Sequence, residues 1–380
     1  MLFGDVRRAP VVRLVRALSL STLTLGLLAA CGDDNNEPEE QVEPSLEFVN
    51  VFQPVALTPD GSTALLQQYN ATGEFYFYRT ATGSLELMGE VGDASLAAVT
   101  GLSADGKVTG FFFTDSIRAG LWSQADGWRA LANTTFPAGC DFNVSSAWDV
   151  TADGATVVGM LWDGCGVAAG RWNAATGAET MLERLGASTS PDREPDNRAT
   201  RVADDGSLMG GWAATETAGR FPALWRPDGT GFLLEGLPPE EGGEVMAISH
   251  DGSMAAGYWG ANAFYWTQAT GAVSIGQLPS ETDFAPAIAN AIAADNKLIF
   301  GVSGQPFFGT PNAFVWTEED GMRPLADVVR AAGLTIPEGT TLTNVLAASV
   351  DGTVVLGQAT DATFNVTSFV LVLPRSAYGL

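Results

Sequence analysis

The sequence predicts an all-β fold, a seven-bladed β-propeller of four-stranded blades whose ring is closed by the N-terminal strand. Three observations carry this. A unit seen most clearly at residues 245–278, VMAISHDGSMAAGYWGANAFYWTQATGAVSIGQL, recurs seven times after residue 52. Each copy holds an Asp-Gly or Asp-Asn turn between two apolar runs, at Asp60, Asp105, Asp153, Asp205, Asp251, Asp295 and Asp351, so the period runs from 44 to 56 residues. A period of that size in short strands is the signature of propeller blades. The apolar runs lack helical spacing and read as strands.

Each copy supplies four strands, a to d. In the fifth copy these are about residues 245–249, 253–258, 263–267 and 272–275. Asp-Gly joins a to b, and the expectation is a two-residue hairpin turn in which Gly takes positive φ. Asn296 replaces Gly once and tolerates the same backbone region. The c–d turns are equally short and end in Gly83, Gly127, Gly177, Gly229, Gly271 and Gly321. Strand c carries Tyr78, Trp122, Trp172, Trp225, Trp266, Trp316 and, in the last copy, Leu371 at one fixed place. These are expected to pack between blades rather than to form a ring of sugar platforms. The Gly ending strand b (Gly110, Gly159, Gly210, Gly257, Gly301, Gly357) is read as a close backbone approach. The first copy lacks both the Trp and this Gly.

The pattern Ile-Ser-x-Asp-Gly, then Ala-Phe-x-Trp, then a Leu-Gly-type ending resembles the HAF-repeat family of secreted bacterial proteins. Residues 248–278 and 292–325 carry the likeness best, and it covers about residues 52–374. The resemblance implies an extracellular propeller-like repeat domain and supplies no catalytic residues.

Residues 1–30 read as a signal peptide: Arg7, Arg8, Arg13 and Arg16 precede an apolar run at 18–30 that is too short to span a bilayer. It ends in Leu28-Ala29-Ala30-Cys31, which resembles the lipobox of bacterial lipoproteins. That resemblance implies acylation of Cys31 and a membrane partner through the lipid, with the protein on the periplasmic or cell-surface side of the envelope. Residues 31–44 form an acidic tether, and residues 45–380 the propeller. The segment 45–51 is a spare strand, while the last copy ends at Pro374 without strand d. The two are expected to pair. ADVVRAA, at 326–332, is long enough for two helical turns, with Gly333 suited to stop them.

The net charge is −25. Nucleic-acid binding needs a basic footprint, so that class is excluded, while cations and basic partners are favoured. A monomer is expected. Cys140 and Cys165 make an even pair in an exported chain and are assigned to a disulfide across neighbouring loops. The single histidine, His250, lies in a Ser-His-Asp-Gly turn. Adjacent residues in such a turn diverge, so this is not a catalytic triad. No motif for a cofactor or metal is present, and bound calcium has no loop motif behind it.

Strand a should line the channel, with Ala56, Gly101, Asp149, Arg201, Ala247, Ala291 and Ala347 at one level. Asp149 and Arg201 form a candidate polar pair in consecutive blades. The b–c and d–a loops vary in length and share one face. Ligand contacts are expected there, with Trp162, Trp212, Trp259 and Phe308 as candidates the repeat does not require. The favoured function is binding of a protein, glycan or small molecule. The alternative is a carbohydrate-active hydrolase or lyase using carboxylates among Asp141, Asp163, Asp192, Glu194 and Asp196.

Overall fold

The structure is a computed structural model that describes residues 42–68, 74–89, 95–113, 116–133, 144–162, 166–188, 194–236, 238, 240–279, 286–304 and 311–380. Residues Val42–Leu380 form one compact unit. It contains seven four-stranded antiparallel sheets. Their innermost strands are Phe52–Leu57, Ser95–Leu102, Val144–Val150, Asn197–Val202, Gly243–Ile248, Ala287–Ala293 and Thr341–Ala348. Each touches its counterpart in the next blade, and the last touches the first, so the ring is closed. Six blades run a-b-c-d in chain order. The seventh takes its outer strand from Ser45–Asn50, which pairs with Val366–Val372 from Ser45↔Val372 to Asn50↔Thr367. Ser368 Oγ, fully buried, donates to the carbonyl of Phe52 at 2.9 Å and ties the closing blade to the first.

The a–b turns are longer than the two-residue form expected. Backbone bonds close four-residue loops between Thr58 and Thr63, Thr151 and Thr156, Ser249 and Met254, and Ser349 and Val354. The leading hydroxyl is the reason. Ser249 Oγ donates to Asp251 at 2.7 Å and accepts the N–H of Met254 at 2.9 Å, so polar side chains fill the wider turn. Only the Gly is left-handed in these turns, whereas Ala294, Asp295 and Asn296 all have positive φ in blade six. The residue before each Asp joins the blades into a rim. Ala104 N donates to Ala152 O, Ala152 N to Asp204 O, Ala294 N to Val350 O and Val350 N to Pro59 O.

Every strand a carries a β-bulge at the same place, between Pro54/Ala56, Val99/Gly101, Ala147/Asp149, Ala199/Arg201, Val245/Ala247, Ala289/Ala291 and Val345/Ala347. The strand-b glycines lie opposite it, because the bulged strand drives a carbonyl onto them. A Cβ on Gly301 would stand 1.9 Å from the oxygen of Ile288, and one on Gly257 2.0 Å from that of Glu244. In blade four the structure corrects the assignment: Gly211, not Gly210, faces Ala199 and meets the carbonyl of Arg198 at 2.0 Å. Two adjacent glycines hid the frame.

The apolar core is divided among the blade interfaces. Trp172 and Trp225 are fully buried. Trp172 Nε1 donates to Ala132 O and Trp225 Nε1 to Glu183 O, each in the preceding blade's end. Tyr78, Trp122 and Leu371 are also buried, while Trp266 and Trp316 are half-buried. Helix α1, Leu325–Ala331, seats Leu325, Val328 and Val329 in the core of blades six and seven. Gly333, at φ 80°, follows it as a left-handed stop. The helix is a cover over that interface.

Candidate functional site

The central channel encloses a cavity of about 150 Å³ lined by all seven strands a. All seven residues expected at one level stand on its wall. Blades one, six and seven give it mainly apolar residues, Val55, Leu57, Ile292, Leu346 and Val350, together with Asn290; the polar groups Thr100, Asp149, Arg201, Asp204 and His250 come from blades two to five. Asp149 bridges blades: Oδ2 accepts the N–H of Val202 at 3.0 Å, and Oδ1 that of Val150 at 2.9 Å. Burial pushes its carboxyl up to about 6 despite the opposing pull of Arg201 and the two N–H donors. Arg201 acts on it through space and donates Nη1 to Thr200 O. At the short-turn rim His250 Nδ1 meets Asp204 Oδ2 of the preceding blade. Ser249 and Asp251 bond each other instead, so the three adjacent residues do not converge on one another. Burial raises the Asp204 carboxyl, and the bond to His250 only partly offsets this.

A second constellation lies at the opposite, long-loop end of the channel. Glu244, 1% exposed, opens strand a of blade five. Its Oε1 accepts Arg198 Nη2 at 2.6 Å and Thr200 Oγ1 at 2.5 Å, and its Oε2 accepts Arg220 Nη1 at 3.1 Å. Arg198, in blade four, also stacks over Trp148 of blade three at 3.9 Å from the ring centre. A side chain that touches both neighbouring blades stands at the inner wall. Trp212 lies 5.7 Å from the Arg198 guanidinium and 5.1 Å from that of Arg220. Phe111 extends the row, its ring 6.2 Å from Trp148. Burial lowers the Arg198 pKa, and Glu244 opposes this while Arg220 and Arg201 add to it. Burial and then Glu244 raise Tyr258, directly across the strand pair from Glu244.

The bulge explains the inward reach of Trp148 and Thr200. Both are the extra residue between paired positions, the place held by Thr100 in blade two and Asn290 in blade six. Thr100 Oγ1 donates to Ala147 O and Asn290 Nδ2 to Val345 O. The bulged residue is thus the usual fastener to the next blade, and Thr200 uses it to hold Glu244. Sequence reading singled out Trp212 and passed over Arg198, Arg220, Glu244 and Trp148. A charged pair at strand starts 46 positions apart, one repeat length, was the available signal.

The remaining candidates divide. Trp259 is corrected to a core residue: it is 2% exposed, packs edge-on to Phe221 and donates Nε1 to Pro238 O. Trp162 is half-buried at the end of its strand. Glu194 and Asp196 share a cavity of about 400 Å³, where Asp196 Oδ1 accepts the N–H of Val167 at 2.9 Å. Cys31, Cys140, Cys165, Phe308, Asp141, Asp163 and Asp192 lie outside the described residues. Among the described residues no group of three or more His, Cys, Asp or Glu is placed to hold a metal ion.

No family model and no curated protein matches the chain. Solved structures do. Oligogalacturonate lyase in complex with manganese matches with TM-score 0.52 at 15% identity, over 88% of this chain and 92% of that one. Oligogalacturonate lyase from Vibrio parahaemolyticus matches with 0.52 at 13%, over 90% and 96%. Virginiamycin B lyase from Staphylococcus aureus matches with 0.51 at 14%, over 87% and 100%. At such identities the likeness is one of fold, and fold does not carry function.

Proposed function

We propose that the chain is an exported, lipid-anchored envelope protein whose propeller is a binding module, with its site on the long-loop face over blades three to five. The observation that supports this reading most is the Arg198–Glu244–Arg220 group beside Trp148 and Trp212. Apolar packing fastened by single hydrogen bonds, such as those of Thr100 and Asn290, suffices at other interfaces. Buried ion groups stabilise little against hydrophobic replacements, whereas Trp and Arg dominate recognition surfaces. Two libraries test the site, one varying Phe111, Trp148, Arg220 and Tyr258, the other varying the a–b turns. Each is scored for ligand capture in the native envelope. Loss of capture in the first library alone is expected; loss in the second alone, with both folded, overturns the placement.

The anchor reading rests on the Leu28–Cys31 sequence and the tether after it. Mass spectrometry on protein from its native host should find a mature N-terminus at acylated Cys31; cleavage elsewhere would refute it. The same material should show Cys140 and Cys165 joined, and two free thiols would reject that pairing. The lyases of similar fold keep catalysis as the competing reading. It would rest on the loop carboxylates, of which Asp196 is already bonded to Val167.

A further inference from the structure

We infer that the long-loop mouth of the channel takes a singly charged carboxylate borne on a six-membered ring, the carboxylate at Arg220 and the ring face against Trp148 and Phe111. This names the ligand class of the binding reading above and rests on it.

Charge comes first. Arg198 and Arg220 share one carboxylate, Glu244, so the group carries one positive charge more than it neutralises. The sequence as a whole is strongly acidic, at −25. Its field repels multiply charged anions, while a single carboxylate balances the surplus locally. Geometry comes second. Glu244 is sealed and holds Arg198 at 2.6 Å, but the Arg220 side chain is 48% exposed. Nη1 of Arg220 goes to Glu244 and the side chain also bonds Tyr258; with half of the side chain exposed, its remaining N–H groups are open to an incoming carboxylate. Third, Trp212 is buried and its Nε1 has no hydrogen-bond partner. Buried donors are almost always paired, so this N–H, beside Arg220, is available to an acceptor on the ligand. Finally, Trp148 and Phe111 are half-buried and adjacent, and present ring surface beside the guanidinium groups. Flat or C–H-faced rings pack on such surfaces.

The test is a calorimetric and tryptophan-fluorescence titration of the purified full chain with D-glucuronate and benzoate, each against its neutral counterpart, D-glucose and benzyl alcohol. The two acids separate a sugar ring from an aryl ring as the source of the carboxylate. Binding of at least one acid in the millimolar range is expected, with its neutral counterpart about tenfold weaker or silent. Arg220→Gln should weaken the acid by about tenfold, and Arg220→Lys less, because lysine keeps the charge without the fork. Arg220 is the safe position to change, since Glu244 keeps Arg198. Trp148→Leu should lower affinity and remove the fluorescence response. Equal binding of acid and neutral ring, unchanged affinity in Arg220→Gln, or no acid binding to tens of millimolar overturns the inference. If the acids fail while the loop-face library still abolishes capture, the ligand class falls and the binding reading stands.

Discussion

Phe364 and Val51 hold left-handed backbone, at φ 62° and 63°, with side chains 86% and 56% exposed. The left-handed region costs an L-residue about 1–2 kcal/mol, and glycine escapes most of this. Asp361 enforces the conformation by accepting the N–H groups of Thr363 and Asn365. Phe364→Gly relieves that strain but costs about 0.5–1 kcal/mol in added freedom of the unfolded chain, so a net gain of up to about 1 kcal/mol is expected in thermal or urea unfolding; a loss of more than about 1 kcal/mol would show that the Phe ring is held by contacts that outweigh the strain. Asp149 makes the pH prediction. Its folded pKa, about 6, lies above that of a free carboxyl. The folded chain thus holds this proton more tightly than the unfolded chain. Its contribution is complete below about pH 4 and is lost as pH rises through 6. Asp149→Asn should flatten the stability profile between those values, measured by urea unfolding at successive pH. An unchanged slope would assign the titration to another group. Asp251, opposite in sign, is held at about 2: burial would raise it, but bonds from Ser249, Ser253 and Asn296 prevail. Its stabilisation is lost as pH falls from about 4 toward 2.

At the scale of the element, bulge and glycine are one device. The bulge pushes a strand-a carbonyl over strand b, and only a residue without Cβ fits beneath it. Gly301→Ala would meet the Ile288 carbonyl, which cannot rotate away as a side chain could. A loss of at least about 2 kcal/mol is expected, against no change for Gly219→Ala, which has nothing within 4 Å. Matching losses at both positions in denaturant unfolding would reject the explanation. The repeat of these glycines was legible in the sequence; their cause was not, because a bulge is a relation between two strands. The Gly210/Gly211 ambiguity shows the limit. Residue type placed the device in blade four, and only pairing with Ala199 chose the residue.

The whole molecule depends on closure. Without Ser45–Asn50, the strand Val366–Val372 becomes an open edge, and Phe48 and Leu46 no longer cover the core of the last blade. Removing residues 45–50 should lower the Tm by on the order of 10 °C or more, and an unchanged Tm in a monomeric product would sink the closure argument. Closure also sets direction: Ser45 lies opposite Val372, on the short-turn side.

Blade number, strand order and the existence of a closing strand followed from the sequence itself. Each depends on local signals that repeat: apolar runs, turn residues and one aromatic per unit, with a spare strand at one end and a gap at the other. The candidate site did not follow. Arg198, Trp148, Arg220 and Glu244 belong to three blades, and each looks ordinary in its own repeat. Their meeting required the ring to bring the strand starts of blades four and five to the bulge of blade three, and that bulge to turn Trp148 toward them. His250 and Asp204 met in the same way across a rim. Periodicity is written along the chain, residue by residue; convergence between repeats is set by tertiary packing, and it was decided only when the ring closed.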